Sequence, residues 1–115
     1  MTNHNDLAEL TTAVVEFRDA RNWKQFHNAK DLAISLNLEA AELLECFQWK
    51  TSEEAIAEQR AAIEDEIADV LLYLLLLAEH LDIDLPAVVC AKIAKNNEKY
   101  PVDKARDNRA KYTEL

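Results

Sequence analysis

A chain of 115 residues has room for one domain and one core. It contains no glycine and only two prolines, which excludes glycine-rich phosphate loops of the P-loop and dinucleotide-binding kinds and favours helices throughout. Its formal net charge of −9 repels nucleic acid and anionic membranes, so a phosphate-bearing substrate must approach it through metal ions.

Other global features point the same way. Cys46 and Cys90 both fall within apolar helical patterns, as expected of reduced thiols in a cytoplasmic protein. The opening Met-Thr-Asn-His-Asn-Asp is too polar for a signal peptide, and the longest apolar run, Val70 to Ala78, is too short to span a bilayer. Neither nucleic acid nor membrane is therefore expected as a partner.

In chain order, Leu7, Leu10, Val14 (or Val15) and Phe17 recur at helical spacing and predict a first helix over about residues 5–21, capped by Asn5 or Asp6. The stretch from Arg21 to Lys30 breaks the period and reads as a loop, yet it carries Trp23, Phe26 and His27. Aromatics there are either a plug over the core, the commoner role, or a platform for a flat ligand. A second helix is expected over about 29–50 and a third over about 53–80, with Ser52 as its cap and acids in its first turn. The second half of that third helix is apolar nearly all round. Burying it needs more cover than one small chain supplies, which argues for a homodimer or homotetramer. Asp84 caps and Pro86 opens a fourth helix reaching about Lys99, with Lys92 and Asn96 sharing a face. The fold expected is an all-α four-helix bundle. After Pro101 the polar tail, about 101–115, is expected to order only by docking on a partner subunit.

The chemistry sits in two acid-x-x-acid steps, Glu39 to Glu42 and Glu66 to Asp69, with Glu45 three residues beyond the first. At about 100° per residue, Leu32, Leu36 and Leu43 fall within about 60° of Glu39, and Glu42 lies about 60° to its other side. On the third helix Val70 and Tyr73 fall within about 40° of Glu66, and Asp69 lies at about −60°. All four acids thus sit in or beside an apolar stripe, whereas Glu45 faces away. Desolvating each unpaired carboxylate costs several kcal/mol, and basic partners are missing from these stripes. Protonation, a distant ion pair or a bound cation would each resolve the conflict, and a shared cation does so most economically. No histidine follows any of these acids at the spacing of di-iron bundles. An all-oxygen set favours Mg²⁺, with Mn²⁺ as its substitute. The plainer alternative is a set of ordinary surface acids on an acidic helical protein.

These pieces, taken with their flanks, resemble the all-α MazG-like nucleotide pyrophosphohydrolases, and within them the small dCTP pyrophosphatases. The resemblance rests on Trp23-x-x-Phe26-His27, on Glu39-x-x-Glu42-Leu-x-Glu-x-Phe-Gln-Trp49, and on Asp65-Glu-Ile-Ala-Asp69-Val-Leu-x-Tyr73. It continues through Lys92-x-x-x-Asn96-x-x-Lys-Tyr-Pro101 to the closing Lys111-Tyr-Thr-Glu-Leu115, so that it spans nearly the whole chain as a single domain.

The resemblance implies Mg²⁺-dependent hydrolysis of a nucleoside triphosphate, dCTP or a modified dCTP first, to the monophosphate and pyrophosphate. It implies Glu39, Glu42, Glu66 and Asp69 as metal ligands. Trp23, His27, Trp49, Tyr73 and Asn96 match base and sugar positions, and Lys92, Lys99 and Lys111 match phosphate-side or tail positions. The expected nucleophile is a water activated by the ion, oriented or deprotonated by Glu45 or by a ligand carboxylate. The chain departs from the family's pattern at Ala40 and Ala41, where glycine is frequent, at Asp65, and at Lys99, which replaces a forked donor by a point charge. The competing readings are the same chemistry on another base, such as dUTP or an oxidised purine, and a non-catalytic helical module whose acids hold a structural ion.

Overall fold

A computed structural model describes residues 6–115, which form helices, turns and irregular segments with no β-strand among them. The helices are α1 (Leu7–Ala20), α2 (Ala29–Glu45), α3 (Ser52–His80), α4 (Leu85–Lys99) and a single-turn α5 (Val102–Ala105). Short 3₁₀ turns occur at Lys24–Phe26 and Tyr112–Glu114. The chain divides into two compact units, one ending at Asp82 and the other running over Ile83–Leu115.

Each long helix starts on a short polar side chain that satisfies an orphan backbone donor, each worth about 1 kcal/mol. Asp6 accepts from the Glu9 N–H at 2.8 Å and Asn28 from the Asp31 N–H at 2.9 Å. Asp84 accepts from the Ala87 N–H at 3.1 Å, with Pro86 in the first turn of α4. At α3 the cap is Thr51, which accepts from the Glu54 N–H at 3.1 Å; Ser52 is already the first helical residue. Asn5, the other expected cap of α1, lies outside the described residues.

The second helix ends at Glu45, five residues short of the expected boundary. Beyond it Cys46, Phe47 and Gln48 close tighter bonds to the third residue back, and Trp49 turns to φ +64°. A chain without glycine must find other residues for left-handed backbone, and it uses Asn22, Asp82 and Asp107, types whose short polar side chains tolerate it. Trp49 is the exception among these four. α3 also bends at Gln59, whose φ/ψ of −122°/20° is non-helical.

In the first unit α2 and α3 form a helical hairpin, and α1 lies against α3. Their shared core holds Val14, Leu32, Ala55, Ile63, Leu75, Leu76 and Ala78, with Leu32 and Leu75 fully enclosed. Enclosing one leucine stabilises by about 1.5–3 kcal/mol. Phe17, part of the periodic apolar pattern of α1, is half-exposed, and the buried place one residue on belongs to Arg18. Ile67 and Leu74 remain exposed on α3.

In the second unit every residue of α4 after Leu85 is exposed. The tail folds back onto the end of this helix, against the expectation that it needs a partner subunit to order it. The Tyr112 ring meets Tyr100 edge-on with centroids 5.9 Å apart, and Lys99 Nζ lies 4.8 Å from the Tyr112 ring centre. Both cysteines are free thiols. Among the described residues no helix is long and apolar enough to cross a membrane.

Candidate functional site

The hairpin of α2 and α3 decides what the acid steps face. Glu39 and Glu42 are one turn apart on α2, and the packing brings Glu66 of α3 to them, so that one carboxylate oxygen from each of the three lies within 4.8 Å of the others. Glu39 and Glu66 are half-buried and Glu42 is exposed. Glu39 Oε2 and Glu66 Oε2 are buried and accept no hydrogen bond from any described group. The ion pairs among the described residues involve none of these three, nor Asp69.

Electrostatics record the crowding. Burial first, then the carboxylates of Glu42, Glu66 and Asp69, push Glu39 up to about 7. Glu66 is also raised, by burial and then by Glu42 and Asp69. Asp69 is not among the three converging oxygens, but it is near enough to press on both Glu39 and Glu66. Buried acceptors with no donor, in a set made of carboxylates alone, are what a hard divalent cation satisfies, so these residues fit such an ion.

A cavity of about 180 Å³ lies in the same unit, and Asp69 is part of its wall. Its apolar lining comes from Val14, Leu72 and Leu76, its aromatic lining from Phe17, Trp23 and Tyr73, and its remaining polar lining from Arg18 and His27. Trp23 is 46% exposed, and it meets Phe17 edge-on with centroids 5.7 Å apart. The Arg21 guanidinium covers the Phe17 ring at 3.7 Å. The aromatic loop is therefore a wall of this cavity rather than a plug over the core, and Phe26 in it is largely exposed. His27 Nδ1 is buried with no partner, and burial, then Arg18 and His80, lower its pKa and hold the ring neutral.

Of the residues singled out from sequence, the fold thus gathers Glu39, Glu42 and Glu66 in one cluster and Asp69, Trp23, His27 and Tyr73 around one cavity. Glu45 is exposed and lines a separate recess with Ala41, Leu44, Phe47 and Gln48. Trp49 is 93% exposed and is not part of the cavity wall. Lys92, Asn96 and Lys99 stand exposed on α4 in the second unit. Arg18 was not singled out, although the sequence held a signal. Leu7, Thr11, Val14 and Arg18 follow the three-four spacing of a buried stripe, and a charge on such a stripe calls for partners.

A carboxylate cluster on a two-helix hairpin, in the same unit as an aromatic-lined cavity, has the donor set for a hard cation and a recess for a flat small molecule. The profile of the MazG-like family matches residues 34–115, and the chain belongs to that family. It is 40% identical over 114 residues to dCTP pyrophosphatase 1 of Homo sapiens, covering 95% of this chain and 67% of that protein. The Rattus norvegicus protein of the same name is 39% identical over the same shares. Among solved structures, a pyrophosphatase from Archaeoglobus fulgidus DSM 4304 superposes with a TM-score of 0.78 at 42% identity, over 88% of this chain and 97% of that one.

Proposed function

We propose that this chain hydrolyses a nucleoside triphosphate, dCTP or a modified dCTP first, to the monophosphate and pyrophosphate. The observation that carries the reading is the convergence of Glu39, Glu42 and Glu66 beside Asp69 with two buried, unbonded oxygens, in a chain some 40% identical to dCTP pyrophosphatase 1.

Glu39, Glu42, Glu66 and Asp69 are the residues that would hold Mg²⁺. When bound, the ion would screen the triphosphate from these acids and polarise the attacked phosphoryl group. The protein's own groups supply the rest. Trp23 and Tyr73 wall the base, while the apolar lining of the cavity excludes water from it. Asp69 lines the cavity and acts by its charge on Glu39 and Glu66, which supports a base on one side of it and phosphates on the other. Glu45, one turn beyond Glu42, is the exposed carboxylate available to carry a proton to solvent. Lys92 and Lys99 are assigned to the phosphate side and Asn96 and Trp49 to the nucleoside, as in the family pattern. Exposed Ile67 and Leu74 on α3 support a homo-oligomer.

The test is a panel of nucleoside triphosphates with Mg²⁺ and separation of the products. Monophosphate plus pyrophosphate, fastest from dCTP, is expected. Diphosphate plus phosphate would end the reading, and equal rates on all bases would end the cytosine assignment.

A further inference from the structure

Arg18 is the one buried charged residue among those described, with 4% of its surface exposed. Two carboxylates fix its orientation: Nε donates to Asp19 Oδ1 at 2.8 Å, and Nη1 donates to Glu79 Oε2 at 2.9 Å. A guanidinium carries five N–H donors in a rigid plane. The two bonds use two of them and leave the others without a described protein acceptor. Yet Arg18 lines the cavity of Trp23, His27 and Tyr73.

The charge balance says what this arginine is suited to meet. Two negative charges already face its single positive one, so a phosphate gains little there, whereas a neutral carbonyl oxygen can still accept from a fixed N–H. The size of the cavity narrows the ligand further. Its volume is about 180 Å³. A cavity of about 150 Å³ holds benzene, so the space has room for a single six-membered ring. The aromatic walls suit a flat ring, and a buried donor left without an acceptor is costly.

We propose that Arg18 is a specificity-determining residue of the nucleotide site, its guanidinium, set by Asp19 and Glu79, donating a hydrogen bond to the ring carbonyl of a pyrimidine base, which in cytosine is O2. This rests on the reading of the chain as a nucleoside triphosphate pyrophosphohydrolase whose base enters this cavity. The cavity's size admits one ring; Arg18 then requires an acceptor on it. A site built around a polar partner rejects an analogue lacking that partner far more strongly than a site that sorts by size alone.

The experiment uses the full chain with Mg²⁺ and follows pyrophosphate release from two substrates. One is dCTP, and the other is a carbon-linked deoxynucleoside triphosphate whose neutral aminopyridine ring keeps the ring nitrogen and amino group of cytosine but carries hydrogen in place of the carbonyl oxygen. The wild type is expected to lose about 10- to 100-fold in kcat/KM on the second, the range of one charge-assisted hydrogen bond. Arg18→Met is expected to lose the same factor on dCTP and to leave the analogue unaffected, so that the two substrates become equal. A wild type that turns both over equally overturns the assignment, and that arm needs no variant to fold. An Arg18→Met loss of equal size on both substrates also overturns it, since it marks a role in tying α1 to α3 alone. If the wild type releases pyrophosphate from no nucleoside triphosphate at all, the proposed reaction has failed, and this assignment falls with it.

Discussion

Glu39 on α2 and Glu66 on α3 are 27 positions apart in the chain, yet each places a carboxylate oxygen within 4.8 Å of the other's and of Glu42's. Each also keeps a buried Oε2 that nothing described bonds. Two half-buried acids of like charge at this range resist full ionisation together, so each is harder to ionise than an exposed acid. The pair therefore stores an electrostatic conflict in the ion-free fold, which a cation or a proton relieves.

One consequence is a pH dependence of stability with a definite sign. Glu39 rises from 4.5 to about 7 on folding, so across that window the folded chain binds more protons than the unfolded one. Stability of the metal-free protein is thus expected to fall as pH rises through the window and to level off above it. Thermal melts in a chelating buffer across this range read the effect. Glu39→Gln should flatten the profile, and a wild-type melting temperature that rises with pH would contradict the coupling.

Mg²⁺ held by these acids, as proposed, would remove the same conflict by another route. At about 100 times its Kd an ion bound only by the folded state stabilises it by about 2.7 kcal/mol. Wild-type protein should show an upward melting shift with added Mg²⁺, whereas Glu39→Ala and Asp69→Ala should show little or none. Both variants should lose at least about 100-fold in turnover while remaining folded. Full activity in either one removes that residue from the ligand set.

Trp23 offers a test of the base wall. Replacing it by Ala should lower kcat/KM by about 5- to 150-fold, the range expected for a lost stacking partner worth about 1–3 kcal/mol. Its half-exposed ring contributes little to the core, so the melting temperature should change little. Steady-state kinetics set beside a melt separates these two effects.

Trp49 should show the reverse balance. It holds a left-handed backbone at φ +64° with 93% of its surface exposed, a bulky residue in a conformation that costs about 1–2 kcal/mol. Trp49→Gly relieves that cost and removes no buried contact, so the variant is expected to melt higher than the wild type. If Trp49 binds the nucleoside, turnover falls at the same time. A variant that melts higher with unchanged kinetics would strike Trp49 from the site.

Much of this was legible in the residue order, for a local reason. A helix face is defined by residues three and four apart, so the stripes bearing Glu39, Glu42, Glu66 and Asp69 could be drawn before any packing was known. Caps obey the same short range: Asp84 stands where the pattern put it, Asp6 is one of the two caps offered for α1, and the α3 cap moved by one residue, from Ser52 to Thr51. The lack of glycine foretold a helical chain, and motif spacing carried the family.

What tertiary structure alone decided is which faces meet. No periodicity says that the Glu39 stripe lies against the Glu66 stripe, or that Trp23, His27 and Tyr73 close around one cavity, because those relations join residues tens of positions apart through the packing of α1 and α2 on α3. Arg18 belongs to the same class: its place on a buried stripe was visible, but its tie to Glu79, 61 residues away, was not. Local backbone preference writes the faces of each helix; the burial of apolar surface, which is non-directional, chooses their partners, and only the folded chain records that choice.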